Sequence, residues 1–250
     1  MSRVVCWFSC GAASAVATKL ALDKYGPERV VIAYCDTRSE HPDNERFMAD
    51  CESWFGKEIL RLTSDKYRDI WDVFRKTRYL VGPKGARCTI ELKKVLRHQF
   101  EEPGDIQVFG YDPSERSRAD RFRRNNPELI LETPLIDHDV SKAACFDIIR
   151  RAGIELPMMY RLGYKNNNCI GCVKGGAGYW NAIRRDFPEV FDRMAKVERE
   201  LGAAMNKSYA GGKGRRRVFL DELDPNAGRG ISRQMSCDFL CGAETDEEAA

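Results

Sequence analysis

The chain has no apolar run approaching the ~20 residues that cross a bilayer, so it reads as a protein without a membrane partner. It has little charge of one sign. The formal net charge is +3, and an excess that small does not by itself argue for nucleic acid. No export signal is legible. The opening MSRVVCWFSCGAASA carries one arginine and a short apolar run, but V-V-C-W-F-S reads as a buried strand and the residues after it as a helix. There is no internal repeat. What remains is the balance of a globular protein, 32% charged and 43% hydrophobic over 250 residues. That is enough for one sizeable domain with a small appendage.

Cysteine is plentiful, with ten in the chain. Without an export signal they point to a reducing compartment, the cytoplasm, where cysteine clusters mean metal or catalysis more often than disulfides. Cys6, Cys35, Cys51 and Cys145 lie in apolar or amphipathic segments and read as ordinary buried residues. Cys10, Cys88, Cys169, Cys172, Cys237 and Cys241 lie in or beside turn-rich, Gly-rich or Lys/Arg-rich segments. Cys169 and Cys172 form a C-x-x-C inside N-C-I-G-C-V-K-G-G-A-G-Y-W-N (Asn168–Asn181). Such a pair can hold zinc, hold half an iron–sulfur cluster, or shuttle electrons as a dithiol. The thioredoxin-type dithiol needs the pair at a helix start in a different βαβ context. A metal site needs more ligands. Cys88 precedes a helix, and Arg87 and Lys93 favour its thiolate. Cys237 and Cys241 form a C-x-x-x-C. The most economical set is Cys88, Cys169, Cys172 and one of the C-terminal pair. Four thiolates suit a four-cysteine zinc site or a [4Fe–4S] cluster, and spacing does not separate the two.

Strands read at Arg3–Phe8, Glu28–Cys35, Glu58–Leu62, Ile106–Gly110 and Leu129–Glu132. Helices read at Ala12–Tyr25, Asp43–Phe55, 66–77, 88–101, Ser141–Ala152 with Ser141 as N-cap, and Tyr179–Leu201. Strands alternating with helices predict an α/β fold, a mostly parallel twisted sheet with helices on both faces. Ligands bind beyond the carboxyl ends of such strands, here Ser9–Ser14, Asp36–Asn44 and Gly110–Arg118. The pattern changes near residue 155. Residues 1–155 read as the nucleotide-binding α/β domain, 156–243 as a cysteine-bearing extension packed on it, and 244–250 as a disordered acidic tail. Arg116–Arg124 (RSRADRFRR) and Lys213–Arg217 (KGRRR) are basic runs at loops or helix starts, facing solvent or phosphate.

The first strand end, F-S-C-G-A-A-S-A, follows a strand and opens a helix, where backbone N–H and hydroxyl groups meet an anion. It is neither a Walker A loop nor G-x-G-x-x-G. It resembles the pyrophosphate loop S-G-G-x-D-S of the adenine nucleotide alpha hydrolase-like superfamily, with Cys10 for the first glycine and Ala13 for the aspartate. That superfamily includes ATP pyrophosphatases, phosphoadenylyl-sulfate (PAPS) reductases and thiolation enzymes. Other segments follow in the order of the PAPS reductase-like group. Y-C-D-T-R-S-E-H-P (34–42) is similar to its D-T-G-x-x-x-P, and C-T-I-E-L-K (88–93) to its C-T-x-x-L-K. G-Y-D-P-S-E-R-S-R (110–118) is similar to its G-x-R-x-x-E-S-x-R, with Asp112 where arginine is usual. P-L-I-D-H-D-V-S-K (134–142) also has a counterpart, and N-C-I-G-C resembles the C-x-x-C of iron–sulfur members.

The resemblance implies an adenine nucleotide alpha hydrolase-like fold that binds ATP or an adenylyl sulfate. Ser9, Gly11, Ser14, Lys93, Arg116, Arg118 and Lys174 would serve the phosphates, and Asp36 the adenosine. It tips the metal reading toward [4Fe–4S] over zinc, with Cys88, Cys169, Cys172 and Cys241 as ligands and Cys237 as the catalytic cysteine. Iron–sulfur members usually carry a Cys-Cys pair where this chain has Arg87-Cys88. L-C-G-A-E (240–244) echoes the reductases' mobile E-C-G-x-H segment but lacks its histidine. The implied activity is sulfonucleotide reduction. The alternatives are ATP-dependent sulfur transfer to a nucleic acid, and a non-catalytic binding module, which Ala13 motivates, with a structural metal site. The implied partners are the nucleotide and a nucleic acid or a thiol reductant protein. In the nucleic-acid case Arg121–Arg124 and Arg215–Arg217 would hold the backbone. Tyr179 and Trp180 either stack a base or pack their helix onto the cysteine lobe. Lys174 is expected beside the pocket opened by Ser9–Ser14.

Overall fold

Val4–Phe8 (β1) and Val30–Cys35 (β2) are apolar throughout and nearly all buried, the pattern of parallel strands covered on both faces. The computed structural model describes residues 2–82, 85–208 and 216–229. In it α1 (Ala12–Tyr25) follows β1, and α2 (Asn44–Phe55), β3 (Ile59–Leu62) and α3 (Ile70–Thr77) follow β2. Short strands β4 (Val81–Gly82) and β5 (Gly85–Ala86) lead into α4 (Arg87–Thr89), a π turn (Ile90–Lys94) and α5 (Val95–Phe100). Then come β6 (Ile106–Val108), a 3-10 turn (Pro113–Glu115), α6 (Arg116–Asn125), β7 (Ile130–Glu132), α7 (Pro134–Asp137) and α8 (Lys142–Arg151). The remainder is α9 (Met158–Arg161), α10 (Ala177–Asp186), α11 (Pro188–Leu201), β8 (Asn206–Ser208) and β9 (Arg216–Val218).

The sheet order is β3-β2-β1-β6-β7 and every pair is parallel. Alternation along β1 feeds two layers. Val4, Cys6 and Phe8 pack with α1, α2 and α8 on one face, while Val5 and Trp7 meet Ala33, Cys35 and Leu96 on the other. The expected α/β architecture with helices on both faces is therefore observed. Ser141 caps α8, its hydroxyl accepting the Ala144 N–H at 3.1 Å. Among the described residues no helix is long and apolar enough to cross a membrane.

A second apolar core joins Trp71, Val73 and Phe74 of α3 to Trp180 and Ile183 of α10 and to Met194 of α11. Its elements come from both sides of residue 155. The fully buried Glu198 carboxylate accepts the Met205 and Leu220 N–H groups, each at 2.6 Å, and so ties α11 to the segments that follow it. The single helix expected over Tyr179–Leu201 is two. Phe187 leaves helical geometry (φ −143, ψ 64) and Pro188 starts α11. Proline has no N–H to continue the ladder of α10 and disfavours helix in the residue before it, while it suits a first turn. The Arg116–Arg124 run lies wholly within α6 rather than in a loop. Cys237, Cys241, the acidic tail and Lys213–Arg215 lie outside the described residues.

Candidate functional site

The chain steps outward from β1 to β2 and β3, then returns to β6 and β7 on the other side of β1. Such a reversal of strand order is where open α/β sheets form a crevice beyond the strand ends. A cleft of about 940 Å³ lies there. Ser9, Gly11, Ala13 and Ser14 line it from the end of β1, Gly110 to Asp112 from the end of β6, and Thr37 from the end of β2. The β1 and β6 loops touch backbone to backbone. A Cβ on Gly110 would lie 2.7 Å from Ser14 N and 2.8 Å from the carbonyl carbon and oxygen of Ala13.

Within the β1 loop, Cys10 takes a left-handed backbone (φ 52), a conformation that glycine adopts freely and other residues adopt at a cost. Ser14 is the brace of the loop. Its hydroxyl accepts the Ser9 N–H at 3.0 Å and donates to the Gly11 carbonyl at 2.9 Å. The N-cap residue of α1, Gly11, has no side chain to cap it, and the first turn holds no acidic residue. The positive end of the helix thus opens on the cleft, an environment that favours an anion. Tyr160 closes one side, its hydroxyl accepting the backbone N–H groups of Ala12 and Asn167.

The cleft also carries sulfur. Cys88, Cys169 and Cys172 all line the cleft, with Lys93 and Lys174 beside them. Cys88 and Lys93 are five residues apart, a spacing that overshoots one α-helical turn by about 140°. The π turn between them, closed by Val95 N–H to Ile90 O, takes in an extra residue and keeps both on the cleft side. The C-x-x-C turn is stitched to its surroundings. Ile170 N–H donates to Ser39 O at 2.9 Å, and Asn167 Nδ2 donates to Cys10 O at 2.6 Å and to Asn44 Oδ1 at 2.8 Å. The Tyr179 hydroxyl accepts the N–H groups of Gly171 (3.0 Å) and Cys172 (2.9 Å) and donates to Cys169 O (3.2 Å). Trp180 is fully buried in the second core.

Electrostatics here centre on Glu40, whose buried carboxylate faces Lys93 Nζ at 3.3 Å. It also accepts from Asn44 Nδ2 (3.2 Å), Thr37 Oγ1 (3.4 Å) and the Tyr34 hydroxyl. Burial is the largest single influence on the Lys93 ammonium and would lower it, but the Glu40 charge and hydrogen bond with the charge at Cys169 together outweigh it, and the net shift is upward. The Cys169 thiol lies 3.1 Å from Thr37 Oγ1 and 3.8 Å from Glu40 Oε1. Burial first, then the Glu40 charge, pushes it up to about 12. Burial and then Cys172 push the Cys88 thiol up to about 11, against the pull of Lys174 and Lys93. Left to themselves both thiols keep their protons at neutral pH, and a thiol is a poor nucleophile compared with its thiolate. Among the described residues no three His, Cys, Asp or Glu side chains are drawn together as if around a metal ion.

Of the residues singled out for the nucleotide, Ser9, Gly11, Ser14, Lys93, Arg118 and Lys174 line this one cleft. Lys174 is exposed and stands with the Ser9–Ser14 loop, as expected. Asp36 and Arg116 are not among the lining residues. Asp36 Oδ1 accepts Arg38 N–H at 2.7 Å and closes its own turn, and Arg116 is exposed on α6. Sequence reasoning missed Glu40, Lys142, Tyr160 and Asn167. The Asn166–Asn168 run just before the C-x-x-C was the one visible signal, since buried amides need partners.

No family model matches the chain. An uncharacterized protein of Methanocaldococcus jannaschii is 24% identical over 209 residues, covering 80% of this chain and 42% of that protein. The chain thus spans about two-fifths of the length of that relative. A crystal structure of phosphoadenylyl-sulfate (PAPS) reductase from Candida auris, a phosphate complex, superposes with a TM-score of 0.50 at 13% identity. The match covers 68% of this chain and 82% of that one, and establishes a PAPS reductase-like fold.

Proposed function

We propose that the chain is an enzyme that binds an adenine nucleotide in the cleft and carries out sulfur chemistry beside it, with sulfonucleotide reduction as the reading favoured. One observation carries this. The start of α1, with no acidic residue in its first turn, lines the same cleft as cysteines from two distant stretches of the chain, Cys88 and the Cys169/Cys172 pair, together with Lys93 and Lys174. The phosphates would meet the α1 N-terminus, Ser9, Gly11 and Lys174. Ser14 would hold the loop in shape, and Glu40 would fix the Lys93 ammonium toward the thiols.

The donor set fits an iron–sulfur cluster. Cys88, Cys169 and Cys172 line the same cleft without being gathered around one point, so loading would have to draw them together, and Lys93 and Lys174 would offset the charge that thiolates bring. Cys88, Cys169 and Cys172 would hold it, with Cys241 as fourth ligand and Cys237 as the nucleophile toward the sulfonucleotide sulfur. Such a cluster would supply a polarising, redox-active centre beside the reacting sulfur. The protein's own residues bind, orient and screen the nucleotide. Incubation of the anaerobically purified chain with PAPS and a thiol reductant protein, and separately with ATP, tests the reading. Sulfite from PAPS is the expected product. Pyrophosphate or AMP from ATP would instead mark an activating enzyme. No product from either, with no nucleotide-induced rise in melting temperature, would remove the basis for the cleft assignment.

A further inference from the structure

Lys142 carries a charge that its surroundings do not answer. It is the first residue of α8, whose first turn holds no acidic residue, and the start of a helix disfavours a cation. The side chain is half-buried and lines the cleft. Its partners are neutral. Nζ donates to Lys165 O and, at 2.7 Å, to Asn166 Oδ1, and lies 5.3 Å over the Tyr160 ring. Lys165 is exposed, lines the same cleft and sets a second positive charge against the first. Neither lysine has an ion pair among the described residues.

The nearby carboxylates are engaged elsewhere. Asp112 Oδ1 accepts the Ser114 N–H at 2.8 Å and the Ser114 hydroxyl at 2.5 Å, and Glu115 pairs with Arg118. Burial, foremost, lowers the Lys142 ammonium, and Lys165 adds to this against the pull of Asp112 and Glu115. A cation taken from water without a counter-charge is costly, and an anion in the cleft would remove that cost. Tyr160 marks where such an anion would lie. Its hydroxyl stands at the start of α1, 3.2 Å from the position of a Cβ on Gly11. One tyrosine ring thus separates the α1 N-terminus from the Lys142 ammonium.

We propose that Lys142 and Lys165 form a subsite for the second anionic unit of the nucleotide, the group joined by an anhydride to the phosphate at the start of α1. They would thereby select such a nucleotide over a monophosphate, which leaves both lysines unmatched. The inference rests on the nucleotide reading of the cleft and deepens it. A polyphosphate and a phosphosulfate share this chemistry.

Calorimetric titration of the full chain with AMP, ADP and adenylyl sulfate tests it. ADP, adenylyl sulfate or both should bind the native chain about tenfold or more tighter than AMP, and the ligand that shows the margin identifies the source. Lys142→Gln/Lys165→Gln should abolish the margin and leave AMP affinity unchanged, since the glutamine amide keeps a donor for the Lys165 carbonyl. Lys165→Gln alone removes an exposed charge and should lose part of the margin with melting temperature unchanged, which keeps the test decisive if the double variant folds poorly. The control Lys19→Gln/Lys76→Gln, whose lysines pair with Asp23 and Asp72, should keep the margin. AMP binding with no margin in the native chain, a margin that survives the double substitution, or equal loss in the control would overturn the inference and leave the nucleotide reading standing. No binding of any of the three to the native chain would overturn the nucleotide reading, and the inference with it.

Discussion

Gly110→Ala tests the close approach of β6 to the loop that opens the cleft. The added methyl would sit 2.7 Å from Ser14 N and 2.8 Å from Ala13 C and O. All three are backbone atoms at the start of α1, so no rotamer relieves the clash. Reaching 3.4 Å, the edge of ordinary contact, requires about 0.7 Å of separation between the β6 end and the β1 loop (3.4 − 2.7). Overpacking of this kind costs about 1–3 kcal/mol. At ~2 kcal/mol a chain of this size loses about 4–8 °C in melting temperature. The same displacement moves the N–H groups offered to phosphate by a distance that breaks hydrogen-bond geometry. A nucleotide present at 100 times its native Kd, which would stabilise the native chain by about 2.7 kcal/mol, should then give little or no shift. Gly176→Ala is the control, because that residue has φ −88 and nothing lies within 4 Å of its Cβ position. It should melt and respond as the native chain does. If Gly110→Ala behaves like the control in both readouts, the close approach of β6 does not set the loop and the reasoning is wrong.

Cys10→Gly should keep the loop, since glycine takes φ near 52 freely, whereas Cys10→Val should lose nucleotide response through strain at a β-branched residue; calorimetric titration distinguishes them. Tyr179→Phe removes the acceptor for two N–H groups and should lower stability by about 2–3 kcal/mol while speeding thiol labelling of the C-x-x-C turn. Asp43 is bound by Arg46 through Nε at 2.8 Å and Nη2 at 3.0 Å, and accepts Met158 N–H at 2.8 Å. The Arg46 hydrogen bond, foremost, holds its carboxyl below the usual range. Its stabilisation is therefore present above the unfolded value of about 4 and is lost as pH falls through the lower folded value. Asp43→Asn should cost about 2–3 kcal/mol at neutral pH and flatten the acid limb of the stability curve, measured by urea unfolding between pH 7 and 3.

Much of the frame was legible because it is written in continuous local patterns. The apolar runs of β1 and β2 allow little except parallel strands, and a strand ending in S-C-G before an alanine-rich helix marks a phosphate-type turn. Ser9, Gly11, Ser14 and Arg118 were legible as lining residues because strand ends face the crevice in such sheets. The break at Pro188 was hidden by apolar residues that keep their helical spacing from Trp180 to Val197 across it. Glu40, Tyr160 and Asn167 were hidden for another reason. Each draws its role from partners far along the chain, such as Asn167 with Cys10 and Glu40 with Lys93. Asp36 shows the converse. A polar residue at a strand end is as readily spent on its own turn as on a ligand.

The central claim is that the lysine behind the C-x-x-C serves the same ligand as the loop at Ser9–Ser14. Lys174 is exposed in the cleft and has no ion pair among the described residues, so removing it leaves no buried charge behind. Calorimetric titration of the adenine nucleotide into the native chain and into Lys174→Ala tests this directly. Without the lysine's charge-assisted hydrogen bond to the phosphates, Kd should weaken about tenfold or more, with melting temperature unchanged. Equal affinity in the two proteins, or no binding to the native chain, would contradict it.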